Sequence, residues 1–550
     1  MQPSHALVAV FFVAFVALRA PYLSLPLERD EGEYAYIAQR MIEGEIPYLD
    51  AFDQKPPAVF VVYRVAFGLF GQSIEAIHAM LYLWSAATAL ALFALVSRWG
   101  GRGAGLWAAG LFVALGNHPV LFATAANTEI FMLLPLIASV WWMEKATCEG
   151  RLGSWAASGA ALALACWFKP VAAAQILLLG AWAMWMPGAS ARPTLRERAR
   201  ALAAIAAGGI AMSLPILLIL AWKGALGAMI DAVFLHNFAY STRLSLARGA
   251  ENLLLRLDRQ TAAFGVAWLL AAAALLWRGA SGTLGSSLRV RVLLAAWLGV
   301  SALGASAGLY FREHYFIQWL PALCAAAALP LATFCDAARR RGTVAGWVAT
   351  MASAAWVLVP PTLAQAHLLR ADSVGERAWR IYGANPFAES VPIADYIREH
   401  SAPHDRVYVI GSEPQILFYA RRRSATRYIF VYPLNIIGPG VLARQQEAWQ
   451  ELRDVRPEYV VDVRLQASHL VQRGAPGLLY ERSRRMLERE YELEWVSYRE
   501  RGRPLYRRLT GAAAVGWLER ARRDGSAERA HALLVYRRAS PVRSPAATER

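Results

Sequence analysis

The sequence has little cysteine and no recognisable phosphate-binding glycine loop. The four cysteines lie in or beside apolar segments, and none falls in the last third of the chain: Cys148, Cys166, Cys324 and Cys335. This distribution gives no basis for a disulfide framework or a zinc site. A glycine does follow a strand-like run, but the sequence there, GSEP at 411–414, lacks the GxGxxG or GxxxxGK spacing that cradles phosphates. Nucleotide binding is therefore not expected.

Charged residues are also scarce, at 18% of the 550 residues, whereas 57% are apolar and 20 are tryptophan. These values exclude an ordinary soluble domain and indicate a polytopic α-helical membrane protein. The long apolar runs stop near residue 364, and the remainder is rich in Arg and Glu, which predicts a separate soluble domain. Residues 1–20 lack a basic leader and a small-residue cleavage site, so we interpret them as a retained first span.

About eleven apolar runs reach spanning length, some of them shortened by Gly or Pro. They lie near residues 5–27, 73–97, 103–122, 128–145, 153–168, 171–187, 201–222, 260–277, 290–309, 315–334 and 343–364. The apolar stretch 57–71 is short and contains Arg64. We expect it to form a helix that lies against the membrane or re-enters it.

The basic residues predict the orientation in the membrane. If residues 28–57 are outside, every inward loop is net basic, as the positive-inside rule requires. Those loops are 98–102, 145–151, 192–200, 278–291 and 339–341. The net charge of +17 is scattered over short loops and the tail, which favours topology and anionic lipid over nucleic acid as its cause. The same parity predicts a multi-pass plasma (inner) membrane protein whose C-terminal domain is extracytoplasmic.

Most of the unusual polar residues fall in the outward turns of this topology. They are Asn127, Glu129, Lys169, His236, Asn237, Tyr240, Arg243 and the run YFREHY at 310–315, which contains Arg312 and His314. Any single member is also explained as an interfacial anchor, because Tyr, Trp, Arg and Lys are common at membrane surfaces. Their convergence on one face nevertheless indicates a functional site.

The stretch 28–57 is the densest of these polar segments. It combines Asp30, Glu31, Glu33 and Tyr34 with the sequence DQKPP at 53–57, which contains Lys55. Residues 34–42 have apolar side chains at i, i+4 spacing, which predicts an amphipathic helix in the interface. The acidic residues also suit the N-terminus of a helix, so simple capping is the alternative interpretation.

From residue 388 the pattern changes to alternating helices and strands. Helices are predicted at 389–400, 413–420 and 442–452, and strands at 406–410, 427–431 and 458–463, which favours an α/β domain with a largely parallel sheet. The last forty residues are basic and are expected to be partly disordered. The predicted domains are 1–364, with the functional loop 28–57, then 365–510, and a tail at 511–550.

The motif DEGEY at 30–34, followed by KPP at 55–57, resembles the GT-C superfamily of integral-membrane glycosyltransferases. It is most similar to the family 39-like enzymes, which include protein O-mannosyltransferases and the lipid A aminoarabinose transferase. NTE at 127–129, FKP at 168–170 and the run 310–315 are also similar to that family. The resemblance covers about residues 1–365 and implies a GT-C fold. The motif here carries three carboxylates, so which one matches the catalytic acid stays open, with Asp30 as the natural match.

The resemblance implies inverting transfer of a sugar from a polyprenyl-phosphate carrier to an acceptor on the outer face. Asp30 would then be the general base, with Glu31 or Glu33 in support. The departing phosphate needs cations, for which Lys55 is the leading candidate. Glu129 would orient the acceptor or share a divalent ion with a second carboxylate. The remaining substrate-binding candidates are Tyr34, Lys169, His236, Tyr240, Arg243, Arg312 and His314.

The spacing of the residues identifies no set of metal ligands. A divalent ion stays a possible cofactor, and no other cofactor is expected. The acceptor stays open among lipid, polysaccharide and protein. The main alternative is a transporter or flippase of lipid-linked sugars, which predicts charges deep in the spans and internal repeats. Few such charges and no obvious duplication occur. A receptor or scaffold is a third possibility, but it leaves the outward carboxylates without a task.

Overall fold

The structure is a computed structural model that describes residues 3–185, 193–238, 244–276, 288–438, 440–500, 505–525 and 531–539. The chain separates into two compact units. The membrane unit comprises Met1–Ser24 and Gln54–Arg370, and the C-terminal unit comprises Leu25–Asp53 and Ala371–Arg550. In this division residues 28–53 fall in the C-terminal unit, where Arg29, Tyr36 and Phe52 form hydrogen bonds with residues 412–427.

The membrane unit is built from helices, and each of the eleven predicted apolar segments falls on one. The helices are Pro3–Arg19, Ala58–Phe70, Ile74–Leu115, Thr128–Glu149, Leu152–Phe168, Ile176–Trp185, Leu195–Trp222, Leu226–Ile230, Leu246–Leu276, Leu288–Ala305, Leu320–Arg341 and Thr343–Leu369. Within the described residues, seven helices are long and apolar enough to cross a membrane, or eight if a bent pair counts as one span.

The helix Ile74–Leu115 contains two predicted segments, 73–97 and 103–122. With 42 residues it would be about 63 Å long if straight, roughly twice the thickness of a bilayer core. It is broken at Gly100 and Gly101, where Gly101 has a φ of +77° that favours glycine. The break therefore separates two halves that were predicted as separate spans.

The predicted helix at 57–71 is confirmed as Ala58–Phe70. Val59, Phe60 and Tyr63 are buried on one face, whereas Val61 and Leu69 are exposed on the other. Its placement against or within the membrane stays a prediction.

Small residues bring two membrane helices together. A methyl group added at Gly159 or Gly208 would overlap a backbone carbonyl of the facing helix, at Ile205 and Ala156 respectively. Glycine at both positions thus allows Leu152–Phe168 and Leu195–Trp222 to approach closely, as small residues do in membrane helix pairs.

The C-terminal unit is an α/β domain with a six-stranded mixed sheet. Its strands are β1 (Arg406–Ile410), β2 (Arg423–Ser424), β3 (Tyr459–Arg464), β4 (Tyr491–Tyr498), β5 (Arg507–Thr510) and β6 (Ala532–Arg538), in the order β2-β1-β3-β6-β4-β5. Its helices are Arg29–Ile42, Val374–Tyr382, Phe387–Glu399, Gln415–Ala420, Val441–Val455, Gln466–His469, Leu478–Glu490 and Gly511–Arg523.

Two expectations for this unit are wrong. The sheet is parallel only where β1 pairs with β2 and β3, and the other three pairs are antiparallel. Residues 427–431 form no strand, although 428–431 are buried; the short strand beside β1 is β2 instead. Within the predicted tail, the described residues 511–525 and 531–539 supply the helix Gly511–Arg523 and the interior strand β6.

Candidate active site

The acidic motif lies on the helix Arg29–Ile42, here called the acidic helix, which begins with a capping box. The Glu28 carboxylate accepts from the backbone N–H of Glu31 at 3.3 Å, and the Glu31 carboxylate accepts from the N–H of Glu28 at 3.0 Å. These bonds satisfy donors that every helix start leaves open. Capping therefore accounts for Glu31, which is fully buried, but not for Asp30 or Glu33.

The acids crowded at this helix start hold a proton. Burial and, to a lesser extent, the nearby carboxylates of Asp30 and Glu31 together raise the pKa of Glu28 to about 8. Glu28 therefore stays largely protonated at neutral pH. The negative charge at this helix start is correspondingly lower than its sequence suggests.

The acidic helix is largely buried instead of lying exposed in an interface, since Glu31 to Arg40 are all buried. It packs against Gln415–Ala420, where Gly32 sits directly on the backbone of Gln415. Farther along, the Tyr36 hydroxyl accepts from the N–H of Ser424 at 2.8 Å. The predicted helix is thus confirmed, but its polar face is covered by the C-terminal unit.

Arg29, the first residue of the acidic helix, binds the loop that follows β1. Its guanidinium donates to the carbonyl of Ser412, to Glu413 Oε1 at 2.5 Å and to Asn385 Oδ1 at 3.3 Å. Glu413 is fully buried, and its other oxygen accepts from Gln415 Nε2 at 2.7 Å. The pair is therefore hydrogen-bonded at both ends, as a buried ion pair must be to persist.

Asp30 and Glu33 lie on the same helix, close to Tyr432. Burial raises the pKa of the Tyr432 hydroxyl, and the carboxylates of Glu413, Asp30 and Glu33 also raise it, against the opposing charge of Arg29. The hydroxyl therefore stays protonated and donates to the carbonyl of Ala467 at 2.6 Å. Asp30 is half-buried, whereas Glu33 and the neighbouring Tyr34 are buried.

The membrane unit holds a second polar cluster, centred on Glu129 at the start of Thr128–Glu149. Glu129 is 3% exposed and forms an ion pair with Lys169. His314 Nε2 lies 3.4 Å from Glu129 Oε1, and the Thr128 hydroxyl donates to Oε2 at 2.9 Å. The Lys169 ammonium also lies 4.2 Å from the centre of the Tyr315 ring, a cation–π contact.

Lys55 belongs to the same cluster, since its ammonium interacts electrostatically with the Glu129 carboxylate. The loop that carries it is held by Asn237, whose side-chain amide donates to the carbonyl of Gln54 at 2.8 Å. The adjacent His236 is buried on the turn Asp231–His236. The structure thus brings together Lys55, Glu129, Lys169 and His314, which were singled out at four separate places in the sequence.

The other predicted residues contribute less to this cluster. Arg312 is exposed and lies over the Tyr310 ring at 6.0 Å. Tyr240 and Arg243 lie outside the described residues. In the same turn, Glu313 pairs with Arg256, which indicates that not every charge of the run 310–315 faces Glu129.

The surroundings of Glu129 do not fit a divalent ion. Its neighbours Lys55, Lys169 and His314 are basic, and repulsion between a cation and these groups would oppose metal binding. Among the residues that the structure describes, no group of three His, Cys, Asp or Glu side chains is arranged to hold a metal. The suggested pairing of Glu129 with a second carboxylate is therefore not seen.

Sequence reasoning missed Arg29, Asn385 and Glu413. Glu413 carried a usable signal, because a charged residue directly after a buried strand needs a partner. A signal also existed for the other cluster, because only four of the 57 Lys and Arg residues are lysines. Two of them act on Glu129, Lys169 through an ion pair and Lys55 electrostatically.

Residues 54–222 match the family model of dolichyl-phosphate-mannose-protein mannosyltransferases. No curated protein sequence matches significantly. The crystal structure of ArnT from Cupriavidus metallidurans bound to undecaprenyl phosphate is similar, with 16% identity, a TM-score of 0.56, and coverage of 83% of this chain and 92% of ArnT. Over residues 54–222 the chain is thus similar to this mannosyltransferase family, and it shares the fold of ArnT.

A second similar structure is the archaeal oligosaccharyltransferase AglB from Archaeoglobus fulgidus, in complex with an inhibitory peptide and a dolichol-phosphate. It is 12% identical with a TM-score of 0.50, and the match covers 92% of this chain and 74% of AglB. At these identities the two structures establish the fold alone, and the family model adds a similarity to mannosyltransferases over residues 54–222. The resemblance and the polytopic membrane fold predicted from sequence are both confirmed.

Proposed function

We propose that this protein is a glycosyltransferase of the GT-C type, which transfers a sugar from a polyprenyl-phosphate carrier, with inversion, to an acceptor on the extracytoplasmic face of the membrane. The donor class is supported by the family model, whose description names dolichyl-phosphate-mannose, and by the undecaprenyl phosphate bound to ArnT and the dolichol-phosphate bound to AglB.

The observation that carries the proposal is the basic cluster at Glu129. Two lysines and a histidine surround a single buried carboxylate, so positive charge exceeds negative charge there. When the sugar leaves its carrier, the lipid phosphate gains negative charge, which cations fixed in a dry site stabilise strongly. Lys55, Lys169 and His314 are proposed to bind this phosphate, and Glu129 to hold Lys169 and His314 in place.

The acceptor needs a base, for which we propose Asp30. Its carboxylate would take the proton of the acceptor hydroxyl while that oxygen bonds to the anomeric carbon and the bond to phosphate breaks, the phosphate keeping the electron pair. Attack opposite the leaving phosphate inverts the anomeric centre. Glu31 is used in the capping box, which favours Asp30, with Glu33 as the supporting acid.

The test is transfer from radiolabelled polyprenyl-phosphate mannose, with glucose and galactose donors as alternatives, to lipid, polysaccharide and peptide acceptors. We expect transfer by wild-type membranes and a loss of about 10²–10⁴-fold in Asp30→Asn, the range for removal of a general base. Asp395→Asn, which alters an exposed ion pair with Arg398, is the matched control. Equal transfer by Asp30→Asn excludes Asp30 as the base. Movement of label across the membrane without covalent transfer favours a flippase.

The extracytoplasmic placement has its own test. Cysteines are introduced by Ile42→Cys and Leu195→Cys, both exposed positions, in a chain whose four native cysteines are replaced by alanine. An impermeant thiol reagent should label the variant at position 42 only, because the basic loop 192–200 is expected inside. The reverse labelling would overturn the proposed orientation.

A further inference from the structure

We propose that the C-terminal unit holds the acidic helix in its working position, and that Arg29 and Glu413 form the positioning pair that places the adjacent Asp30. The inference rests on the proposed role of Asp30. It gives the C-terminal unit a task, since apart from the acidic helix this unit contributes no proposed catalytic group.

The first support is the completeness of the Arg29 contacts. The guanidinium donates to Ser412, Asn385 and Glu413, and its centre lies 5.5 Å from the Phe387 ring and 5.6 Å from the Tyr432 ring. The planar guanidinium makes several directed hydrogen bonds and lies over two aromatic rings, and only one placement of the group satisfies all of these contacts. The first turn of the acidic helix is fixed accordingly.

The second support is the position of the 411–414 loop in the sheet. It leaves the carboxyl end of β1, whose parallel neighbours β2 and β3 lie on opposite sides. In open α/β sheets this is the crevice where ligands bind, because the connections diverge there. Here the chain's own Arg29 occupies the place next to that loop.

The 411–414 loop, which binds Arg29, is itself held in place by hydrogen bonds and close packing. The N–H of Ser412 donates to Ser468 Oγ at 2.7 Å, and the Ser412 hydroxyl accepts from the N–H of Val431 at 3.1 Å. Gly411 has a φ of +154°, and a Cβ there would lie 2.8 Å from Val463 Cβ. The loop therefore presents the Ser412 carbonyl and the Glu413 carboxylate in one arrangement.

The third support is that further contacts hold the segment on both sides of Arg29. The N–H of Leu27 donates to the Tyr419 hydroxyl at 2.8 Å, and the N–H of Phe52 donates to the carbonyl of Arg427 at 2.8 Å. Together with the Gly32 and Tyr36 contacts, they fix both the rotation and the axial position of the acidic helix. Asp30 follows Arg29 directly, so a shift of Arg29 moves Asp30.

The experiment compares Glu413→Gln, Arg29→Gln and their double variant with the control Asp395→Asn, all in the full chain. Transfer from polyprenyl-phosphate mannose gives kcat and KM. We expect kcat to fall by roughly 100-fold in each single variant, as for a misplaced reacting group, with the donor KM changed by less than about twofold. The double variant should lose no more than the singles, since both remove one interaction.

A second readout does not depend on catalysis. Hydrogen exchange of the amides in residues 32–42 should accelerate by about tenfold or more in Glu413→Gln, while exchange in β3 stays as in wild type. Faster exchange with an unchanged kcat overturns the positioning role. Unchanged exchange overturns the docking role. If the wild type transfers no sugar from any donor, the proposed function fails, and the exchange result still decides whether Glu413 holds the helix.

A milder variant covers the case in which Glu413→Gln fails to fold. Tyr36→Phe removes the hydroxyl that accepts from Ser424 and adds no charge or bulk. It should lower kcat by about threefold to tenfold with an unchanged donor KM, because one of several positioning bonds is lost. Wild-type kcat in this variant, with faster exchange in the acidic helix, contradicts the proposal.

Discussion

Glu129 and Glu413 are both buried carboxylates paired with a cation, but their surroundings differ in a way that predicts different tasks. Around Glu413, one arginine meets one carboxylate, and the named donors and acceptors of both are used within the C-terminal unit. Around Glu129, two lysines and a histidine meet one carboxylate. A closed pair fixes structure, whereas a cation-rich cluster attracts an added anion.

The kind of cation reinforces this comparison. Arginine presents a planar fork that suits several fixed acceptors, whereas the lysine ammonium is a compact charge on a flexible stem. A lysine side chain can move with a phosphate group as the negative charge of the phosphate grows. Arg29, in contrast, cannot move away from Glu413 without losing several hydrogen bonds. The predictions below test this contrast, beginning with the largest expected effect.

Replacing Lys169 should have the largest effect, because it removes the cation that contacts Glu129 directly. Lys169→Met combined with Glu129→Gln, which avoids leaving a buried charge unpaired, is expected to lower transfer by about 10²–10³-fold. The measurement is kcat for transfer from polyprenyl-phosphate mannose. Lys223→Met is the control, since Lys223 is exposed and stacks on Trp222. Activity of the double variant near that of the control would remove the cluster from catalysis.

Gly32→Ala tests how tightly the acidic helix is packed near the Arg29–Glu413 pair. The added Cβ would lie 2.6 Å from the backbone nitrogen of Gln415, so the acidic helix must shift, at about 1–3 kcal/mol of lost stability. The free energy of unfolding of the C-terminal unit is the quantity to measure. Gly375→Ala serves as the control, because its nearest neighbours are at 3.7 Å. A loss no greater than that of the control would show that the helix is loosely held.

Lys55 should have a smaller effect than Lys169, since its influence on Glu129 ranks below those of Lys169 and His314. Lys55→Gln is expected to raise the KM for the polyprenyl-phosphate donor by about threefold to tenfold, the effect of one partly screened charge. Lys55→Arg keeps the charge and should retain most of the affinity. A larger defect in Lys55→Arg than in Lys55→Gln would indicate that shape, and not charge, matters at this position.

The smallest predicted effect concerns pH. Burial raises the pKa of Glu389, in the C-terminal unit, from its ordinary 4.5 to about 7. Between these values the folded state keeps a proton that the unfolded state has lost, so stability is fully present below about 4.5 and falls as pH rises through 7. Glu389→Gln should flatten this part of the unfolding free energy against pH, whereas Glu399→Gln, at an exposed position, should not. An unchanged slope in Glu389→Gln would contradict the shift.

The sequence was most informative where structure depends on local pattern. The eleven apolar runs, the strand at 406–410 and the helix at 58–70 follow from hydrophobic length and periodicity. Lys55, Glu129, Lys169 and His314 were identified because the predicted membrane topology places their turns on one face. That topology was predicted with the positive-inside rule, which uses the charges of loops far apart in the chain.

Pairings over long sequence distances could not be predicted. Nothing in the local pattern shows that Arg29 binds a loop nearly four hundred residues away, or that Gly32 rests on Gln415. The basic composition of 511–550 suggested disorder, yet β6 is interior, because its apolar residues Leu533, Leu534 and Val535 are buried between β3 and β4. Strand order depends on such partners and not on composition alone.

The interior place of β6 has a consequence for biosynthesis. The acidic helix leaves the ribosome about 500 residues before β6 does, which at about 5–20 residues per second is a delay of roughly 25–100 s. Until β6 arrives, the sheet whose loop receives Arg29 has a gap between β3 and β4. The nascent chain therefore carries its acidic segment undocked through most of membrane insertion, and chains shortened before residue 532 should remain inactive however well their spans assemble.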